Sequence, residues 1–256
     1  MLTLPTLEKM RQLKLNGMVK AFEEQSKSSN YSKLSFEERL GHLVEQEALD
    51  RDNRKLSTRL KSAKLKHDAC VENLDFKSNR KLERGMVLSL AQCKWIKEHR
   101  NILITGLTGV GKSFLACALA HKACLEGFSS LYLRVPKLLT ELAVAHGDGR
   151  YQKIMTALSK VDVLIVDDWG LSKLNETERK DFLEIIEDRH ELKSTIVTSQ
   201  IPVKHWHELI GDSTIADAIL DRLVHNSYRI ELDGPSRRKM KNETNKKEDD
   251  KETQVK

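Results

Sequence analysis

Long apolar stretches are missing from this chain. No run approaches the roughly 18 residues that a membrane-spanning helix needs, so no membrane association is expected. Aromatic residues are scarce, at 5% of the 256 residues, which speaks against a β-sandwich and for a helix-rich protein. The four cysteines, Cys70, Cys93, Cys117 and Cys124, form no C-x-x-C pair. That spacing disfavours a zinc site and suits reduced thiols in a cytoplasmic protein. The first residues, M-L-T-L-P-T-L-E-K-M, lack the basic start and apolar core of a secretory signal, so a cytoplasmic location is expected.

Charge is abundant and unevenly placed. Residues 54–100 hold 13 basic and 5 acidic side chains, whereas residues 101–236 hold 15 and 19. The last stretch, 237–256, holds 8 and 5. Basic flanks around an acidic middle suit a protein whose flanks meet a polyanion while its middle does chemistry. A solvated helical face accounts for the same counts equally well. Between Asn53 and His67 stand Arg54, Lys55, Arg59, Lys61, Lys64 and Lys66 with no acid among them, and these are the candidate DNA contacts.

Apolar residues from Leu7 to Phe22 recur at three- and four-residue steps, the spacing of a helix. Ser35 and Glu38 have the form of a capping box opening a second helix, with Leu40, Leu43, Val44 and Leu49 as its apolar stripe. Residues 1–70 therefore read as a small all-helical N-terminal domain. A linker near Asp75 and Phe76 leads into a helix ending near Glu98. From Asn101 short apolar runs alternate with helical patterns. The expected strands are Asn101–Thr105, Ser130–Arg134, Val161–Val166, Ser194–Ser199 and Ser227–Leu232. The expected helices include Lys112–Leu125, Pro136–Ala145, Glu176–Glu191 and Thr214–Val224. Such alternation predicts an α/β domain over 71–240, a mostly parallel sheet with helices on both faces. Residues 241–256 are almost free of apolar side chains and are expected to form a charged, disordered tail.

The residues that carry chemistry begin with G-L-T-G-V-G-K-S, namely Gly106, Leu107, Thr108, Gly109, Val110, Gly111, Lys112 and Ser113. The motif follows a strand and opens a helix, the setting of a P-loop. Its glycines let backbone amides face phosphate oxygens, and the helix N-terminus favours an anion. Lys112 would reach the β- and γ-phosphates of ATP, and Ser113 would bind Mg2+. Some 55 residues on, an apolar strand runs into Asp167 and Asp168. At that place Asp167 would hold Mg2+ through water and Asp168 would polarise the attacking water. The strand ending in Thr198, Ser199 and Gln200 either senses the γ-phosphate or is an ordinary strand exit. Arg222 is either an arginine finger for a neighbouring subunit or the surface partner of Asp217 or Asp221. The His205-Trp206-His207 stretch reads as packing, because His at i and i+2 of a helix do not face each other.

These motifs together resemble the AAA+ ATPases of the IstB/DnaC type, and the IstB family in particular. Beyond the P-loop, the resemblance is carried by L-K-L-N-G-M, S-F-E-E-R-L, D-D-W-G-L, T-S-Q-I-P-V-K-H-W-H and I-A-D-A-I-L-D-R-L-V-H. It implies an AAA+ P-loop fold with little or no helical lid, in which Asp167 and Asp168 form the Walker B pair. Most AAA+ enzymes carry Glu at the second acidic place and Asn where Gln200 stands. The resemblance further implies that Arg222 is the arginine finger and that Arg238, in Gly234-Pro235-Ser236-Arg237-Arg238, is a second sensor. The function it implies is an ATP-dependent, duplex-DNA-binding regulator in bacteria that forms a homo-oligomer on DNA and assists a transposase. The alternative is a DnaC-like replicative helicase loader. A small-molecule P-loop kinase would share the loop but predicts a monomer without a basic segment.

Overall fold

The computed structural model describes residues 3–76 and 81–236. Arg238 and the tail expected over 241–256 lie outside the described residues. The chain divides into two compact units, Met1–Lys61 and Ser62–Lys256.

The first unit is helical: α1 (Thr3–Gln12), α2 (Asn16–Lys27), a 3-10 turn (Ser29–Lys33) and α3 (Phe36–Ala63). The capping box forms at the start of α3. The Ser35 amide donates to Glu38 Oε2 at 2.7 Å, and the Glu38 amide donates to Ser35 Oγ at 3.2 Å. A second capping device joins α2 to α3. Glu47, on α3, is buried and accepts from the Gly17 and Met18 amides at 2.8 and 3.2 Å, the free donors of the first turn of α2. A Cβ at position 17 would collide with the backbone of Gln46 and Glu47, so this helix crossing needs glycine. That accounts for the glycine of the L-K-L-N-G-M string.

In the second unit two short helices, α4 (Arg84–Leu90) and α5 (Lys94–Lys97), precede the sheet. One continuous helix was expected here. The break falls at Cys93, which has a left-handed backbone (φ 58°), and the buried Trp95 fastens it by donating from Nε1 to Leu90 O at 2.9 Å. The chain then alternates: β1 (Asn101–Gly106), α6 (Lys112–Leu125), β2 (Ser130–Arg134), α7 (Val135–Asp148), α8 (Tyr151–Lys160), β3 (Val163–Trp169), α9 (Glu176–Arg189), β4 (Ser194–Ser199), α10 (Trp206–Ile210), α11 (Ser213–Val224) and β5 (Ser227–Leu232). All pairings are parallel, in the order β2-β3-β4-β1-β5.

Strand residues alternate between two apolar layers, as a pleat requires. Ile102, Ile104, Val163, Ile165 and Ile196 join one core with α4, α5 and α6. Leu103, Leu164, Val166 and Val197 join the other with α7 through α11. The sheet is thus covered on both faces, as the continuous apolar runs predict. Parallel strands bring their carboxyl ends to one edge, where ligands of such sheets bind. The P-loop, the two aspartates and Gln200 all leave from that edge.

The observed β3 departs from expectation in a way that matters. It runs on to Trp169, so Asp167 and Asp168 lie within the strand and not beyond its end. Trp169 is 1% exposed, stacked on Phe182 with ring centroids 4.2 Å apart and edge-on to Trp206 at 6.0 Å. Burial of this ring holds the strand in the sheet through both carboxylates. Pairing with β4 slips between Val166 and Trp169, and Asp168 takes a left-handed backbone (φ 63°).

Arg189, the last residue of α9, ties the starts of β3 and β4 to α8. Its guanidinium is 1% exposed and donates to Leu158 O (2.5 Å), Val161 O (2.8 Å), Ser194 O (2.6 Å) and Thr195 Oγ1 (3.1 Å). Replacement by Met would leave three carbonyls buried without donors, each costing about 1–3 kcal/mol. Chemical denaturation of Arg189→Met is expected to show a loss of at least about 3 kcal/mol; a midpoint within error of the wild type would mean that the carbonyls find other donors.

Candidate functional site

Residues Gly106–Ser113 form the turn from β1 into α6. Gly106, Gly109 and Gly111 have φ of 146°, 87° and 103°. Side chains rarely adopt such angles, and at Gly109 a Cβ would also strike the side chain of Ser236. Val110 is fully buried and pins the loop to the core, while Leu107 faces solvent. The Lys112 ammonium curls back over the loop and donates to Gly106 O at 2.7 Å and Leu107 O at 2.9 Å. Beside the loop lies an open cleft of about 820 Å3, walled by Lys66, His67, Thr108, Ser113, Arg134, Asp168 and Gln200 among others.

Asp167 is the buried centre of this region, with no exposed surface. Its Oδ1 accepts from Ser113 Oγ at 2.6 Å and Thr198 Oγ1 at 2.5 Å. Its Oδ2 accepts from the Tyr132 hydroxyl and lies 3.5 Å from Lys66 Nζ. Burial alone would raise the carboxyl's pKa. The hydrogen bonds from Ser113, Thr198 and Tyr132, with the Lys66 charge, outweigh burial and hold it below the ordinary carboxylate value. Conversely, burial and the hydrogen bond to Asp167 push the Tyr132 phenol well above its usual range, so it stays a donor. Thr198 stood among the polar residues that end its strand in the sequence, but its partner there is Asp167; Tyr132 carries no motif, and its alternation along β2 beside β3 is the one signal that could have found it.

Asp168 points into the cleft and is held by Arg134, whose Nε donates to Oδ2 at 2.9 Å. Its amide donates to Thr198 Oγ1 at 3.2 Å, so one threonine orders both aspartates. Gln200 Oε1 accepts from Thr108 Oγ1 at 2.6 Å, which places the end of β4 over the P-loop. Arg134 was not singled out from the sequence; it closes β2 next to the carboxylates.

The structure does not bring Arg222 to this cleft. It lies on α11, 24% exposed, within 2.5 Å of Glu187 Oε2 on α9, and donates from Nη1 to Ala218 O. Its partner is thus Glu187, not Asp217 or Asp221. The His205–His207 stretch packs as expected: Trp206 is fully buried and donates from Nε1 to Ile201 O at 2.9 Å.

The candidate DNA contacts separate into two groups. Arg54, Lys55, Arg59 and Lys61 lie on α3. Arg54 pairs with Asp50 at 2.8 Å and Lys55 with Asp52 at 3.3 Å, so acids one turn back already meet two of these charges. Lys64 is exposed in the turn after α3. Lys66 lines the cleft and reaches Asp167 at 3.5 Å, two residues after the left-handed backbone of Lys64 (φ 49°).

The family model described as IstB-like ATP binding protein matches residues 8–245. The chain belongs to this IstB-like family. It is 52% identical over 93% of its length to a putative insertion sequence ATP-binding protein of Sinorhizobium fredii, covering 98% of that protein. It is 32% identical over 90% of its length to the IS21 putative ATP-binding protein of Pseudomonas aeruginosa, covering 86% of it. Among solved structures, the IstB-like fold resembles DnaI (TM-score 0.57, 24% identity, 64% of this chain, 91% of that one). It also resembles the DnaC helicase loader (TM-score 0.56, 20% identity, 64% and 97%). These likenesses show the fold, a parallel sheet flanked by helices.

Mg2+ and a triphosphate fit the residues present. The donors beside the cleft are hydroxyl and carboxylate oxygens, the kind that Mg2+ takes. No helix among the described residues is long and apolar enough to cross a membrane. The depressed Asp167 value has a measurable consequence. A carboxyl whose folded pKa lies below its unfolded value of 3.8 contributes stability above that pH and loses it as pH falls through the folded value. In nucleotide-free protein, the melting temperature should therefore fall more steeply below about pH 4 in the wild type than in Asp167→Asn. Parallel acid limbs would show that Asp167 ionisation adds nothing to folding.

Proposed function

We propose that this IstB-like chain is a Mg2+-dependent ATPase that assembles as a homo-oligomer on duplex DNA and assists the transposase of an insertion sequence. The observation that carries the enzymatic part is the 2.6 Å bond between Ser113 and Asp167. It joins the first turn of α6 to the end of β3, 54 residues apart, where a phosphate-bound cation would sit. The loop amides and the N-terminus of α6 would hold the phosphates. Lys112 would exchange the loop carbonyls for the β- and γ-phosphate oxygens. Ser113 would ligate Mg2+ directly and Asp167 through water. Bound there, Mg2+ supplies positive charge to the β- and γ-phosphate oxygens. Asp168 would accept the hydrogen of the attacking water, with Arg134 and the Thr198 contact setting its direction. Gln200, anchored on Thr108, would touch the γ-phosphate side.

Arg222 forms an ion pair with Glu187 on α9. As an arginine finger it would act on the ATP of a neighbouring subunit, so that nucleotide favours the oligomer by mass action. Arg238 would serve as a second sensor. Residues 1–70 would provide partner and DNA contacts, and residues 71–240 the ATPase. Duplex DNA would be met through Arg54, Lys55, Arg59, Lys61 and Lys64, largely without regard to sequence, since such contacts release counterions from phosphates. The names of the relatives support an insertion-sequence setting, hence a transposase partner in the bacterial cytoplasm. The helicase-loader alternative rests on likeness of fold, which both readings share.

Three variants test this. Lys112→Ala is expected to abolish binding of a fluorescent ATP analogue. Asp168→Asn is expected to bind it while losing turnover by about 100-fold or more. Undiminished binding in the first, or normal turnover in the second, would overturn the assigned roles. Neutralising Arg54, Lys55, Arg59 and Lys61 together should weaken duplex binding on every sequence and flatten its dependence on salt. An unchanged salt slope would clear α3 of phosphate contact.

A further inference from the structure

We infer that Lys66 is a residue of the nucleotide site and a competitor of the metal: its ammonium neutralises Asp167 in the nucleotide-free subunit and yields that place when Mg2+ and nucleotide bind. The inference rests on the ATPase reading above and goes beyond it.

The placement is built in. After Ala63, fully buried, the chain adopts a left-handed conformation at Lys64 (φ 49°) and is pinned again by Ala69, 1% exposed. Between them the His67 ring lies 6.0 Å from Phe114, the neighbour of Ser113 on α6. The segment is thereby held along the first turn of α6, and Lys66 reaches the far oxygen of Asp167 at 3.5 Å with a third of its side chain still facing the cleft. A non-glycine residue in left-handed backbone persists where its surroundings require it.

Charge explains why a cation belongs there. Asp167 has no exposed surface, and its hydrogen-bond donors Ser113, Thr198 and Tyr132 are neutral hydroxyls. An ionised carboxylate in such a place needs compensating positive charge. A divalent ion bridged to the same carboxylate would supply that charge and repel an ammonium a few ångströms away. Lys66 has a way out, because its side chain borders the open cleft. The wild-type chain must displace Lys66 to bind the metal, whereas a chain without that charge need not. Lys66 therefore sets the Mg2+ concentration at which nucleotide is gripped, and it is a positioning residue, not a catalytic one.

The test titrates Mg2+ into full-length protein with a fluorescent ATP analogue, reading binding and not turnover. Lys66→Met should lower the Mg2+ concentration for half-saturation by about 3- to 10-fold. Lys66→Arg, which keeps the charge, should stay near the wild type, and the salt slope of duplex binding should be unchanged in both. Lower melting temperature of nucleotide-free Lys66→Met is also expected. An unchanged or raised half-saturation in Lys66→Met would overturn the inference, as would a salt slope reduced by about one, the mark of a phosphate contact. Wild-type protein and Lys112→Ala in the same titration keep the two readings apart. Absence of nucleotide binding in the wild type sinks the ATPase assignment itself.

Discussion

An ionised carboxylate without solvent is the constraint around which this structure is organised. Asp167 meets Ser113 from α6, Tyr132 from β2, Thr198 from β4 and Lys66 from the segment before α4. Three elements and one connecting segment are thus ordered about the carboxylate of a fourth, β3. Leaving such a group unpartnered would cost several kcal/mol, so the partners are held in register by the same energy that holds the charge. The outcome is a floor of hydroxyls beneath the P-loop, whose lysine is itself bonded to the loop carbonyls of Gly106 and Leu107.

The second aspartate lives under different rules. Asp168 borders the cleft, has a left-handed backbone and is gripped by Arg134. The next residue, Trp169, is buried with its ring stacked on Phe182 and edge-on to Trp206. The carboxylate on the edge thus sits directly before a residue anchored in the core. The register between β3 and β4 slips over this stretch, between Val166 and Trp169.

Charge counting along the chain told less than it promised. The run from Arg54 to Lys66 is basic in sequence, yet Arg54 and Lys55 meet acids one turn earlier on α3. Lys66 lies beyond the helix and borders the cleft beside the P-loop. A count over a window cannot see pairs made with residues outside the window, nor a turn that redirects one side chain.

The linear chain determined whatever is local. The P-loop was legible because eight consecutive residues between a strand and a helix do the work. The strands were legible because continuous apolar runs are what a sheet covered on both faces demands, and the Ser35/Glu38 cap because its two halves are three residues apart. The extent of β3, the break at Cys93 and the partners of Asp167 and Arg222 were decided by the tertiary structure. Those partners lie 31 to 101 residues from Asp167, and 35 from Arg222, along the chain. Contacts over such separations are chosen by packing and by the need to neutralise a buried charge, and neither leaves a local pattern in the order of residues.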